Sequence, residues 1–368
     1  MTALKTKDEQ LDDAMEIIRQ KNSEITRQAQ TIKQIRREND TAEAIRQEIW
    51  GLAARPPRIA PWVGGHGIKH GTRGGPLLML SDVHYGETIN PDEVAGVNEY
   101  NRTIAKRRIK RLVDTTIDLC FNHMGRANVA YPGIVVCLGG DLVGGDIHEE
   151  LMATNDRTPQ QAVNELTDIL GSAIETLATK FGRIVVPSVV GNHGRTTKRS
   201  RMKGRVFHNY DWSIACNLER EFRRDKKHIQ ILSSNEADYF FEMFGHRFLL
   251  THGDDLGTHG GDGIIGALGP IMRGRMKISN SQAELGRDFD TLLIGHYHQY
   301  IALDGLICNN SIKGYDEYAN IKLRAKYKRP SQALTFVHPE HGITANWQVY
   351  LEGRKHAQQS KVWTQWLA

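Results

Sequence analysis

The sequence predicts an α/β fold preceded by a long N-terminal helix. Three observations carry that expectation. The opening has no Gly until Gly51, no Pro until Pro56, and apolar residues at seven-residue spacing. From Leu77 onward, short apolar runs alternate with helical patterns. Polar motifs follow several of those runs directly. The 368 residues suffice for one large α/β domain plus an appendage. With 39% hydrophobic and 25% charged residues the composition is that of an ordinary folded chain, which excludes a wholly disordered protein.

The first element is a helix over residues 4 to about 50. Leu4, Leu11, Ile18, Ile25 and Ile32 recur at one seam position, and Asp8, Met15, Asn22, Ala29 and Arg36 at the alternate one. A polar seam residue such as Asn22 can set register and oligomer state at a cost in stability. A helix of roughly 65–70 Å is expected at 1.5 Å per residue, so residues 1–53 are read as a coiled-coil segment that makes a homo-oligomer. Pro and Gly punctuate residues 54–76, which read as a linker.

The main α/β domain is expected over 77–352. Buried strands are predicted at Leu77–Leu80, Ile134–Leu138 and Ile184–Val190, separated by helices around 92–123 and 159–180. A hairpin, YFFEMFGHRFLLTHG, turns near Gly245 and is followed by the strand TLLIG. A second hairpin, YIALDGLICNN, turns at Asp304-Gly305, a favoured type I′ pair. The β runs ALTFV and ITANWQVYL close the domain, and 353–368 form a tail.

Several function classes are excluded or weakened at this level. No run approaches the roughly 18–20 apolar residues that span a bilayer. The N-terminus lacks the apolar core of a signal peptide, so a cytoplasmic protein is expected. The four cysteines are scattered with no CxxC pair, which argues against a disulfide framework or a zinc knuckle. The net charge of +5 argues only weakly for an anionic partner.

Five motifs carry candidate chemistry. SDVH supplies Asp82 and His84, and GGD supplies Asp141. GNH supplies Asn192 and His193, THGD supplies His252, and GHYH supplies His296 and His298. Each follows an apolar run, and in open α/β sheets sites form at the carboxyl ends of strands. The spacing x-to-x+2 in DxH and HxH puts both side chains of a pair on one face of an extended segment. Carboxylate, imidazole and amide oxygen suit Mn²⁺, Fe or Zn²⁺. Two cations about 3.5–4 Å apart can clamp a phosphoryl group and acidify a bound water. Asp141 is the natural bridging ligand. Any one motif occurs by chance; the ordered set is the signal.

With DxH, GD, GNH, H and GHxH in that order, the chain resembles the calcineurin-like metallophosphoesterase superfamily over about residues 76–350. The resemblance implies a β-sandwich flanked by helices. It implies one metal on Asp82, His84, Asp141 and His298 and a second on Asp141, Asn192, His252 and His296. Mn is the expected metal, with Fe, Zn, Mg or Ni as alternatives. His193 is implied as the group that contacts phosphate and protonates the leaving oxygen, which places His193, Asp141 and His84 at the catalytic centre. A metal-bridging hydroxide would attack phosphorus with no covalent intermediate. One departure stands out: the superfamily usually has an acid directly after GNH to orient the histidine, and here the residue is Gly194. Asp146, His148 and Asp254 are the candidates to replace it.

The surroundings bear on substrate. The run GRTTKRSRMKGR, 194–205, begins at the GNH motif and contains no acid. Arg195, Lys198, Arg199 and Arg201 are therefore expected to grip phosphates beyond the scissile one. Other basic runs are NRTIAKRRIKR, RRDKK, MRGRMK and KLRAKYKR. The expected function is a metal-dependent nuclease, DNA before RNA, similar in local wording to the DNA-end-processing branch of the superfamily and to phage-type phosphoesterases. A small-molecule or phosphoprotein phosphatase is the alternative, followed by a nucleic-acid-binding scaffold with a vestigial metal site.

Overall fold

The computed structural model describes residues 74–123, 131–256, 268–323 and 325–353, with positions 15, 19–24, 26–28 and 30 near the N-terminus. Those N-terminal positions are helical and exposed. The rest of the expected coiled coil, the linker up to residue 73 and the tail beyond 353 lie outside the described residues.

Eleven strands are present among the described residues. They are β1 (Gly75–Leu80), β2 (Ile134–Leu138), β3 (Ile184–Ser188), β4 (Ile229–Ser233), β5 (Tyr239–Met243), β6 (His246–Leu250), β7 (Thr291–Ile294), β8 (Ile301–Leu303), β9 (Leu306–Cys308), β10 (Ser331–His338) and β11 (Gly342–Tyr350). They form a six-stranded sheet in the order β11-β10-β1-β2-β3-β4 and a five-stranded sheet in the order β5-β6-β7-β9-β8. Strands β1 through β4 run parallel, as do β6, β7 and β9. The helices are α1 (Arg102–Asp118), α2 (Glu149–Thr154), α3 (Pro159–Phe181), α4 (Tyr210–Glu221) and α5 (Leu268–Glu284).

Three apolar clusters explain the layers. Alternation in the strands sends Leu77 and Met79 to one face of β1 and Leu78 and Leu80 to the other. Leu77, Met79, Val135 and Cys137 pack with Phe248, Leu250, Leu293 and Ile307, joining the two sheets face to face. Leu78, Val136 and Val186 pack with Ile109, Leu166 and Ile214 from α1, α3 and α4. On the far side, Leu249, Leu292 and Ile294 pack against Ile271 of α5. Burying both faces of β1, β2 and β3 is why these strands read as continuous apolar runs.

The expected sandwich with flanking helices is therefore present, with local differences. The helix expected over 92–123 is interrupted. Pro91–Val94 forms a short 3-10 turn ended by Ala95 in the left-handed region, and α1 starts only after Asn101, whose side chain caps Ile104 N. Strand β4 and helices α2, α4 and α5 were not anticipated by pattern.

Candidate metal centre

The parallel strands end on the site. Beyond β1 lie Asp82 and His84, beyond β2 lies Asp141, and beyond β3 lie Asn192 and His193. From the other sheet, β6 leads into His252 and β7 into His296 and His298. Main-chain bonds tie these ends together: Asp82 N to Gly140 O at 3.0 Å, and Gly295 N to His252 O at 2.9 Å. A side chain joins the sheets as well, with Asp82 Oδ1 accepting from His296 N at 2.9 Å.

Five of these residues sit in the left-handed region although none is glycine. Asp82, His84, Asp141, His296 and His298 have φ of 52°, 50°, 49°, 63° and 49°. Such backbone costs of order 1–3 kcal/mol per residue and clusters where geometry serves function. At the ends of β1, β2 and β7 a sharp turn thus carries the polar side chains toward a common centre.

Two groups of candidate ligand atoms result: Asp82, His84 and His298, and Asp141, His252 and His296. His298 Nε2 lies 3.3 Å from Asp82 Oδ1 and 3.2 Å from His84 Nε2. Asp141 Oδ2 lies 3.0 Å from His252 Nε2 and 3.9 Å from His84 Nε2, so this one oxygen faces both groups. The other oxygen, Oδ1, accepts from His193 N at 2.7 Å. Asp141 Oδ2 thus lies between the two groups of candidate ligand atoms.

The donor set fits divalent cations. His252 Nδ1 donates to the Gly139 carbonyl at 2.8 Å, which turns Nε2 toward Asp141. That Nε2 is buried without a hydrogen-bond partner although the Asp141 carboxylate is 3.0 Å away. His84 repeats the pattern: Nδ1 donates to Glu87 Oε1 at 2.8 Å, which turns the Nε2 lone pair toward His298 and Asp141. Asn192 Oδ1 is likewise buried and unpartnered. Lone pairs that face one another at these distances call for a cation or a proton between them. Two of the imidazoles favour the neutral form. Burial and the Lys313 charge push His84 down to about 4, and burial and His252 push His296 down to about 4, favouring the neutral imidazoles that bind metal. Burial also pushes His252 down, but the Asp141 charge outweighs it and raises His252 to about 10. A metal ion would take the place of that proton.

A third group, His84, Glu87 and His193, is of another kind. Glu87 Oε2 accepts from Lys313 Nζ at 2.8 Å, so an ammonium already balances the carboxylate. Glu87 and Lys313 were not anticipated from sequence. The signal available was an acid three residues beyond His84. Asp211 was also missed. It is fully buried, and its carboxylate accepts from Asp141 N (2.9 Å), Leu142 N (3.1 Å) and Gly191 N (2.9 Å). Burial and the nearby Asp141 charge push Asp211 up to about 7.

The neighbours of His193 replace two of the expected orienting groups. Its Nδ1 is 3.2 Å from Gly144 O and 3.6 Å from Glu87 Oε1. Asp254 is instead paired with Arg205 at 2.7 Å, and the His148 ring lies 5.9 Å from that of His193. Burial pushes His148 down. Gly194 has no room for an acid: a Cβ there would lie 2.5 Å from Asn209 Oδ1 and 3.0 Å from Asp211 Oδ1.

The basic loop divides into two kinds of residue. The Arg195 guanidinium donates to Asn192 O at 2.8 Å, Thr197 O at 3.0 Å and Lys198 O at 3.3 Å, which fixes the loop that carries Asn192. Lys198, Arg199 and Arg201 are exposed. Arg205, a further residue not singled out by sequence, ties this loop to the turn after β6 through Asp254 and Asp255. A shallow recess beside Asn192 includes Arg195, Arg201 and Arg205 in its walls.

Fold and site together define an α/β sandwich with a candidate two-cation centre. No family model matches the chain, and no curated protein matches it. Among solved structures, the chain is similar to a dimetal phosphatase from Danio rerio at 11% identity and a TM-score of 0.34, covering 75% of this chain and 99% of that one. A likeness that slight carries no weight for fold or activity. Among the described residues no helix is long and apolar enough to cross a membrane.

Proposed function

We propose that the chain is a two-metal phosphodiesterase that hydrolyses nucleic acid. The observation that carries the hydrolase reading is the gathering of ligand atoms from Asp82, His84 and His298 and from Asp141, His252 and His296, with Asp141 Oδ2 facing both groups. Divalent cations held there would supply Lewis-acid polarisation of phosphoryl oxygens and a more acidic water. The chain's own residues would do the rest. Asp82, His84 and His298 would hold one cation and Asn192, His252 and His296 another, with Asp141 serving both. His193 stands at the edge of this set, its ring 4.5 Å from that of His84. In hydrolysis a P–O bond forms from water as the bond to the leaving oxygen breaks. His193 would give that oxygen its proton and regain one from the water.

Two features support a polymeric anion. At the Asn192 end, Lys198, Arg199 and Arg201 project from the loop into solvent. At the His298 end, Lys328 donates to Gln299 at 3.2 Å, and exposed Tyr318 and Tyr327 stand among Lys322, Lys326 and Lys328. Cations beside exposed rings are how single strands are held through phosphate contacts and base stacking. Oligomerisation through residues 4–50 would add avidity for a long polymer.

The test is a substrate panel of single- and double-stranded DNA, RNA and p-nitrophenyl mono- and diesters, with Mn²⁺ or with chelator. We expect Mn²⁺-dependent cleavage of nucleic acid and none with chelator. Monoester hydrolysis with nucleic acid uncut would replace the nuclease reading by the phosphatase one. Full metal loading with nothing hydrolysed would leave the scaffold.

A further inference from the structure

Besides the ligands, the centre contains a buried chain of charge. Asp316 Oδ2 lies 2.8 Å from Lys313 Nζ, Lys313 Nζ lies 2.8 Å from Glu87 Oε2, and Glu87 Oε1 lies 2.8 Å from His84 Nδ1. All four residues are buried. Burying so many charges is costly unless each is paired, so the arrangement calls for an explanation beyond packing. Glu87 touches two histidines of different expected roles. The same Oε1 that accepts from His84 lies 3.6 Å from Nδ1 of His193. Close by, Gly144 makes room: a Cβ there would sit 3.0 Å from Glu87 Oε1, and its carbonyl accepts from His193 Nδ1 at 3.2 Å.

We propose that Glu87 is a positioning residue for both histidines: it fixes metal ligand His84 and, with the Gly144 carbonyl, holds His193 in place of the acid that cannot fit at Gly194. This rests on the phosphoesterase reading. Gly144 O accepts from Nδ1 of His193, the Glu87 carboxylate 3.6 Å away favours that N–H electrostatically, and Nε2 is left for the leaving oxygen. One carboxylate then couples the orientation of the proton donor to the orientation of a metal ligand, and Lys313 with Asp316 holds that carboxylate still.

The experiment compares wild type, Glu87→Gln, His193→Ala and the double variant on aryl phosphodiesters whose leaving groups range from nitrophenol to unsubstituted phenol. Mn²⁺ binding is measured in parallel by titration calorimetry. A good leaving group departs without a proton, whereas a poor one needs it. For Glu87→Gln we expect a loss on the order of 100-fold for the phenyl ester and a much smaller one for the nitrophenyl ester. The double variant should be no worse than His193→Ala on the phenyl ester, and Mn²⁺ affinity should fall about 10-fold through His84. Equal loss across leaving groups, or additive losses in the double variant, would overturn the link to His193. Unchanged Mn²⁺ affinity would overturn the link to His84. A wild type inactive on every ester overturns the phosphoesterase reading, and the proposal with it. Should Glu87→Gln fail to fold, Glu87→Asp keeps the charge for Lys313 while withdrawing the carboxylate by one methylene, and the same outcomes decide.

Discussion

The two halves of the centre are supported by different physics. Behind His84 stands a run of full charges, Glu87, Lys313 and Asp316, each within 2.8 Å of the next. Behind Asp141 stands Asp211, which holds three backbone N–H groups and faces no ammonium or guanidinium in its hydrogen bonds. The titrations differ accordingly. Opposing charges keep Glu87 ionised despite burial, and Lys313 brings Asp316 down to about 2 although burial pushes it up. Asp211, buried and beside the Asp141 charge, rises to about 7 although its backbone donors pull it down. The first half orients a side chain, whereas the second shapes two loops, after β2 and after β3, so that Asp141 and Asn192 meet.

The largest effect should come where the halves join. Asp141 Oδ2 is the oxygen that faces both groups, so Asp141→Asn should weaken cation binding at both positions. His298→Ala should weaken one, and His252→Ala the other. Metal stoichiometry by elemental analysis checks this. The expected loss of affinity for Asp141→Asn is more than about 100-fold, above the 10–100-fold typical of outer partners. Loss of a single equivalent in Asp141→Asn would show that the halves are independent.

Next comes stability. Lys313→Met leaves Glu87 and Asp316 buried without their cation, which should cost about 3–5 kcal/mol. Asp211→Ala leaves three buried N–H groups without an acceptor, at about 1–3 kcal/mol each before relaxation. The comparison is sharpened by the conservative pair. Asp211→Asn keeps one carbonyl oxygen and should recover part of the loss, whereas Lys313→Gln restores no charge and should recover little. Urea unfolding of the metal-free proteins checks both. Equal recovery in the two pairs would mean that charge and hydrogen bonding are not separable here.

The same contrast explains what could be read from sequence. The seven candidate ligands were legible because DxH and HxH put two donors on one strand end, and apolar runs mark where each strand stops. The sheets were legible where both faces are buried, as in IVVCL. Helix α4 was not, because its segment YDWSIACNLERE mixes charge into a short amphipathic turn. Its first turn supplies Asp211, whose partners at Asp141 and Gly191 lie 70 and 20 residues away in sequence. Lys313 is 226 residues from Glu87. Partners fixed only by topology leave no local pattern. Arg195 was legible as basic but not in its contacts, because a guanidinium that closes on its own loop reads the same as one that reaches for phosphate.

The smallest effect concerns a surface counterpart of the buried charge chain. Glu165 on α3 accepts from Arg157 at 2.8 Å, from Arg102 at 2.9 Å and from the Tyr85 hydroxyl at 2.9 Å. Its hydrogen bond to Arg157, then that to Arg102, brings the carboxyl down to about 2. The folded value lies below the unfolded one, so the network contributes stability that is present above pH 4.5 and is lost as pH falls toward 2. The side chain is 35% exposed, so solvent screens the pair and the contribution should stay under about 1 kcal/mol. Glu165→Gln should therefore leave stability at pH 7 slightly reduced and make the decline between pH 4.5 and 2 shallower, read from thermal midpoints across that range. Metal binding should not change, because Tyr85 reaches Glu165 from the side of β1 away from the ligands, and Val83, Tyr85 and Leu142 keep their packing with the helices. A Glu165→Gln variant that lost metal would show that the surface network, and not only the buried one, holds the turn carrying His84.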